Sequence, residues 1–256
     1  MGLFSGVGVA LVTIFDPDGK VNSEATGRHA ADLVSRGMKS VLVNGTTGEA
    51  GKLTDDERTE LLRAVRKAIP AGIPLLAGTG GASTEVAVGL TKAALDAGAD
   101  VMLAYPPPDY KDATELCAFH EAVASASDGK PVLAYHVPWV SSPGVPVQDL
   151  PNLPIEGIKD SSGSADRLLD ELAHYTGSVY VGSSALLSLA GPMGGAGAIL
   201  ALANIEPERC VLAFDGDGGA QRGLAQAHLA VRAGGPARLK QLLAERSDYP
   251  ATSRLP

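Results

Sequence analysis

The stretch Ile155-Glu156-Gly157-Ile158-Lys159-Asp160-Ser161-Ser162-Gly163 holds the side chain with the most chemistry to offer. It reads as a short buried strand that ends in a small polar turn. Alternation along a strand sends Ile158 to one face and Lys159 to the other. Lysine is rarely interior unless it is paired or working. Gly157 leaves room beside it, and the Ser-Ser-Gly turn lets a ligand approach the backbone. An amine in such a place loses part of its charge by desolvation and becomes a nucleophile. The plainer alternative is a strand-end lysine that carries its ammonium out to water on an apolar stem.

Two other segments offer partners. In Gly45-Thr46-Thr47-Gly48-Glu49, two hydroxyls and several backbone N–H groups lie between glycines, a set that suits a carboxylate. An ordinary Gly/Thr turn would look the same. Tyr135-His136-Val137-Pro138 ends another apolar run. A tyrosine at a strand end relays protons through its hydroxyl, or packs its ring and hydrogen-bonds a neighbour. His136 alternates away from Tyr135, toward the layer behind the sheet.

Other patterns carry less. Gly78-Thr79-Gly80-Gly81-Ala82-Ser83 lacks the last glycine of a dinucleotide loop and reads as a tight connection with Ser83 capping a helix. Asp215-Gly216-Asp217-Gly218-Gly219 lacks the third acidic position of a calcium loop and reads as a turn. The histidines, His29, His120, His136, His174 and His228, include no i, i+4 pair for zinc. No Gly-x-Ser-x-Gly elbow is present. A metal-dependent aldolase or a serine hydrolase is therefore not supported, and no metal or organic cofactor is implied.

The elements that must position these residues repeat one phrase. Strands are expected over 6–14, 40–43, 74–78, 101–104, 131–136, 155–159, 179–182 and 197–200. Helices are expected over 24–36, 54–69, 83–97, 112–126 and 165–175, then a small-residue helix, then helical segments from Pro207 onward. Thr54-Asp55-Asp56-Glu57 is a capping box. The strands are short and continuously apolar, as strands buried on both faces are. About eight strand–helix units fit, which favours a (β/α)8 TIM barrel over a doubly wound sheet. Residues 1–205 would form the barrel, and 206–256 closing helices of the same domain. Barrel chemistry sits at the carboxyl ends of the strands, where Lys159 falls.

Bulk properties agree. The chain has 256 residues, 45% of them hydrophobic but only 4% aromatic, so its core must be aliphatic. A net charge of −8 supplies no basic patch for nucleic acid or a membrane surface. No apolar run approaches the ~18 residues of a membrane span. Met1-Gly2-Leu3-Phe4-Ser5 begins neither a signal region nor a myristoylation motif. Two cysteines without metal-ligand spacing fit a reduced, cytoplasmic compartment.

Taken together, these pieces resemble the family of dihydrodipicolinate synthase and N-acetylneuraminate lyase over nearly the whole chain. Gly45-Thr46-Thr47-Gly48-Glu49 is similar to its signature loop, Tyr135-His136-Val137-Pro138 to its Tyr-Asn-Val-Pro segment, and Gly157-Ile158-Lys159 to the segment bearing its Schiff-base lysine. Gly195-Ala196-Gly197-Ala198-Ile199 resembles its glycine-rich eighth strand, and Val181-Gly182-Ser183 stands at the seventh strand end. The resemblance implies a class I lyase or aldolase acting on pyruvate or a related 2-oxo acid and an aldehyde. Lys159 and Tyr135 would be catalytic. Thr46, Thr47, Gly182 and Ile199 would bind substrate, Ile199 through its backbone. A homo-oligomer, dimer or tetramer, is implied, although a C-terminal region shorter than the family's puts the usual assembly in doubt. A family member that only binds a 2-oxo acid is the alternative of another class.

Dihydrodipicolinate synthase proper is the alternative within the class, and two departures speak against it. Where that enzyme has an arginine shortly after Tyr-Asn-Val-Pro, this chain has Val140. Where it lends a neighbouring subunit a tyrosine from a Pro-Tyr-Tyr segment, this chain has Pro108 in Pro106-Pro107-Pro108, with Tyr110 as the nearby substitute. Trp139 and Val140 are expected to give the mouth an apolar wall.

Overall fold

The apolar runs form eight parallel strands: β1 (Gly6–Ala10), β2 (Val41–Val43), β3 (Leu75–Gly78), β4 (Val101–Ala104), β5 (Val132–His136), β6 (Gly157–Asp160), β7 (Ser178–Val181) and β8 (Gly197–Leu200). In the computed structural model, which describes residues 3–255, they pair in sequence order, and β8 returns to β1. The expected closed barrel is what forms. Met1 and Gly2, which begin the N-terminal stretch read above, and Pro256 lie outside the described residues.

Alternation sorts the side chains into two layers. Val7, Val9, Val41, Val43, Ala134, Ile158, Val179 and Val181 belong to the outer core, against the helices. Leu42, Leu76, Leu103, Leu133, Tyr135, Tyr180 and Ile199 fill the barrel interior. Tyr180 is the largest fully buried side chain, and Gly197 beside it makes room. A Cβ on Gly197 would lie 2.4 Å from the Gly6 carbonyl oxygen and 3.1 Å from the Tyr180 ring. Phe4 stacks on Tyr180 with centroids 4.6 Å apart, and the Tyr180 hydroxyl donates to the Phe4 carbonyl at 2.9 Å. This plugs the end at which the strands begin, leaving the carboxyl ends open.

The helices are α1 (Ser23–Ser35), α2 (Asp55–Ala68), α3 (Thr84–Asp96), α4 (Ala113–Ala126), α5 (Ala165–His174), α6 (Leu187–Ala190), α7 (Pro207–Phe214), α8 (Gly218–Gly223) and α9 (Ala225–Ala244). Local chemistry starts them. Asn22, Thr54, Ser83, Asp112 and Ser164 each accept a hydrogen bond from the first turn of their helix. The capping box at Thr54 and Glu57 forms in both directions. Ser83 caps α3, and Asp217 caps α8, so both glycine-rich motifs act as connections. No described helix is long and apolar enough to cross a membrane.

Two strand boundaries differ by more than one residue from the sequence reading, and the last helix is broken. β1 ends at Ala10 rather than at Ile14, because side chains take over the backbone beyond it. Val12 N–H donates to Asn204 Oδ1 (3.1 Å) and Ile14 N–H to Thr26 Oγ1 (3.0 Å). β6 begins two residues late, since Glu156 turns its carboxylate onto the Val132 N–H at 2.7 Å. α9 breaks at Gly235 (φ 58°, ψ −152°), just before Pro236, which removes an amide donor.

Candidate active site

Register sets the centre of the site. Tyr135 lies opposite Lys159 across β5 and β6, and Lys159 opposite Tyr180 across β6 and β7. All three side chains therefore enter the barrel. Lys159 is only 3% exposed, which decides against a lysine that reaches out to water. Its Nζ sits 4.4 Å from the centroid of the Tyr135 ring, a cation–π contact. The Ser161 hydroxyl donates to the Tyr135 hydroxyl at 3.3 Å. Burial alone would raise the Tyr135 phenol. The Lys159 charge, the Ser161 hydrogen bond and the nearby Thr46 and Lys159 side chains outweigh it, so the phenol titrates below its ordinary value.

A cavity of about 540 Å³ opens above this pair at the carboxyl ends of the strands. Thr46, Thr47, Tyr135, Lys159, Gly182 and Ile199, all six residues expected from the sequence, line it. Ile199 pairs with Gly8 in the sheet and packs its side chain inside the barrel. Gly182 is required by space: a Cβ there would stand 2.0 Å from Ser161 Oγ. Its N–H donates to the Asp160 carbonyl at 2.6 Å, tying the ends of β6 and β7 together. Asp160, behind Lys159, accepts from both the N–H and the hydroxyl of Ser162 at 2.8 Å, which fixes the polar turn. Burial raises the Asp160 carboxyl.

The mouth differs from the expected apolar wall. Trp139 lines the Lys159 cavity and is 65% exposed. Val140 instead lines an adjoining cavity of about 270 Å³, with Tyr105, Arg58 and Leu255. The two cavities share Thr46 and Tyr135. A polar edge faces Trp139 across the first: Ser184, His228 and Arg232, with the Ser184 hydroxyl and His228 Nδ1 2.8 Å apart. Tyr110 lines neither cavity of its own chain. Its hydroxyl donates to the Gly144 carbonyl at 2.7 Å, and its ring packs on the outer core. Tyr105 stands beside Tyr135 instead, with centroids 6.4 Å apart.

Sequence reasoning passed over Tyr105, although an aromatic directly after β4 carried the same strand-end signal as Tyr135. His228 and Arg232 carried no signal, since nothing in the sequence says that α9 crosses the mouth.

The model of the dihydrodipicolinate synthetase family matches residues 3–225. The chain belongs to this family. Among curated relatives, it is similar to the 4-hydroxy-tetrahydrodipicolinate synthase of Salinibacter ruber, with 34% identity over 212 residues, 80% of this chain and 70% of that one. It is similar to the synthase of Thioalkalivibrio sulfidiphilus, with 34% identity over 228 residues, 84% of this chain and 76% of that one. A solved dihydrodipicolinate synthase from Acinetobacter baumannii, complexed with pyruvate, superposes with a TM-score of 0.91. It is 28% identical, with 99% of this chain and 92% of that chain covered. A prophage protein of the same family from E. coli K12, also in complex with pyruvate, gives a TM-score of 0.91 at 26% identity, with 100% and 93% covered. The dihydrodipicolinate synthetase family is thus matched by sequence and fold together.

Proposed function

We propose that the protein is a Schiff-base-forming lyase or aldolase acting on pyruvate or a related 2-oxo acid, with Lys159 as its nucleophile. The observation that carries this is a lysine amine buried inside the barrel, against a tyrosine, in a cavity that two threonines also line. Neutral Lys159 Nζ attacks the keto carbon, and the carbonyl oxygen takes a proton. Loss of water then leaves an iminium. A base takes the proton of the 4-hydroxyl, the C3–C4 bond breaks, and its electron pair moves toward the positive nitrogen, giving an enamine and a free aldehyde. Protonation of the enamine carbon and hydrolysis release pyruvate; the reverse order makes the bond. Tyr135, in contact with the amine, moves the protons. Thr46 and Thr47 hold the carboxylate, while Gly182 and Ile199 shape the wall on which the substrate lies. Pyruvate in two solved relatives supports the substrate class.

The same reading takes the protein to be cytoplasmic, with Cys117 and Cys210 free, and to assemble as a homo-oligomer, which light scattering tests. The decisive assay is pyruvate release from a panel of 2-oxo-3-deoxy acids. Release by the parent protein and none by Lys159→Ala is expected. Saturable binding without release across the panel would make this a binding protein instead.

A further inference from the structure

Thr46 and Thr47 belong to a loop that no sheet ladder holds. It is a chain of turns: Gly48 N–H to Gly45 O (3.1 Å), Glu49 N–H to Thr46 O (3.1 Å) and Ala50 N–H to Gly45 O (3.3 Å). Glu49 closes it in the left-handed region, at φ 58°. A non-glycine residue stays there only when its surroundings hold it. The holding groups come from the other end of the chain.

The Glu49 residue is 2% exposed. One carboxylate oxygen pairs with the ammonium of Lys240, which is 1% exposed and lies on the second half of the broken α9. The other oxygen accepts from Ser253 Oγ (3.1 Å), Arg254 N–H (2.8 Å) and Leu255 N–H (3.0 Å). Lys240 Nζ lies 3.9 Å from the centroid of the Phe15 ring, and the Arg254 guanidinium carbon 4.7 Å from the same centroid. Arg254 also donates twice to Glu57 (2.8 and 2.7 Å) and once to the Lys52 carbonyl (2.9 Å), on either side of the loop's exit into α2. The Glu49 carboxylate is thereby surrounded by four donors, three of them from residues 253–255.

A buried ion pair is a poor source of stability, because desolvation of both ions offsets most of their attraction. What such a pair fixes is geometry, since the charges lose far more if they separate than a hydrophobic contact would. Here the thing fixed is the residue two positions from Thr47, in a loop whose own hydrogen bonds are few.

We infer that Glu49 and Lys240, with the 253–255 segment clasped on them, are positioning residues: they hold the Thr46–Thr47 loop where its hydroxyls receive the substrate carboxylate. This rests on the reading that Thr46 and Thr47 bind that carboxylate. Neither Glu49 nor Lys240 lines the Lys159 cavity; Glu49 borders only the adjoining cavity, and its carboxylate is taken up by Lys240 and residues 253–255, so toward Lys159 both act through the loop. The clasp links closure of the C-terminal segment to affinity for the 2-oxo acid, and not to the carbon–carbon step at Lys159.

The test is the pyruvate concentration needed for half-maximal borohydride trapping on Lys159, measured beside the trapping rate at saturation and the melting temperature. Lys240→Met and Glu49→Gln are expected to raise the half-saturating concentration about tenfold or more, with the saturated rate within about threefold of the parent. The double variant should shift it no further than the worse single, because the two act as one unit. Lys240→Arg should restore most of the affinity. Arg254→Ala, which leaves the buried pair in place, should give a smaller shift in the same direction and decides the matter if Lys240→Met does not fold. A lower melting temperature with unchanged half-saturation in folded variants would make the clasp merely structural and overturn the inference. Absence of trapping in the parent protein would overturn the Schiff-base reading, and this inference with it.

Discussion

Tyr135 is the residue whose replacement separates binding from chemistry. Tyr135→Phe keeps the ring against Lys159 but removes the hydroxyl that Ser161 meets at 3.3 Å. General acid–base groups contribute about 10²–10⁴-fold. Turnover should therefore fall by about 10²-fold or more, while Lys159 can still form an adduct. Turnover within about threefold of the parent would move the proton relay elsewhere, with Tyr105 the first candidate. A second residue-scale prediction concerns the aldehyde. Val140 lines the adjoining cavity without charge or donor, and Arg58, which shares that cavity, donates to the Ala50 carbonyl at 2.6 Å. A carboxylate on the second substrate thus lacks a forked guanidinium partner at position 140. With pyruvate and aspartate semialdehyde, the coupled assay should give kcat/KM below about 10⁵ M⁻¹s⁻¹. A higher value would show that the protein is an efficient dihydrodipicolinate synthase despite Val140.

Strand β5 carries a pH liability on its outer face. His136 Nδ1 accepts from the Val145 N–H at 2.9 Å. Burial, aided by the Arg167 charge, lowers its pKa from 6.5 to about 4. The folded protein keeps this ring neutral where the unfolded chain protonates it. Its contribution to stability is present above pH 6.5 and is lost as pH falls toward 4. His136→Asn retains an acceptor but cannot titrate. Between pH 7 and 5, the parent should lose about 2 kcal/mol more unfolding free energy than the variant. Equal losses by denaturant titration would contradict this. The elements themselves were legible wherever local chemistry agreed with the fold. β4 and β8 fall where their apolar runs predict, and Thr54 and Ser83 cap the helices that they were expected to start. The misses came where distant side chains claimed the backbone. Asn204 and Thr26 end β1 early, and no reading of residues 6–14 alone contains them.

At the scale of the molecule, barrel closure makes one site from separate strand ends. The sequence placed Thr46, Thr47, Tyr135, Lys159, Gly182 and Ile199 at strand ends. Parallel order and register then brought them to one cavity. What it hid was the reach of the C-terminal segments. Lys240 sits in an unremarkable helical stretch, and its partner Glu49 reads as the end of a turn, yet they meet in the core beside the mouth. His228 and Arg232 reach the same cavity from α9. Such contacts follow from where helices pack after the barrel closes, which local periodicity does not encode. The central claim is that the buried amine of Lys159 forms an imine with a 2-oxo acid. The direct measurement is reduction with borohydride in the presence of pyruvate, followed by peptide mass mapping. The expected result is a single reduced pyruvyl adduct on Lys159, absent without pyruvate and absent in Lys159→Ala. No adduct on Lys159 with pyruvate or any simple 2-oxo acid, or an adduct on another lysine alone, would contradict it.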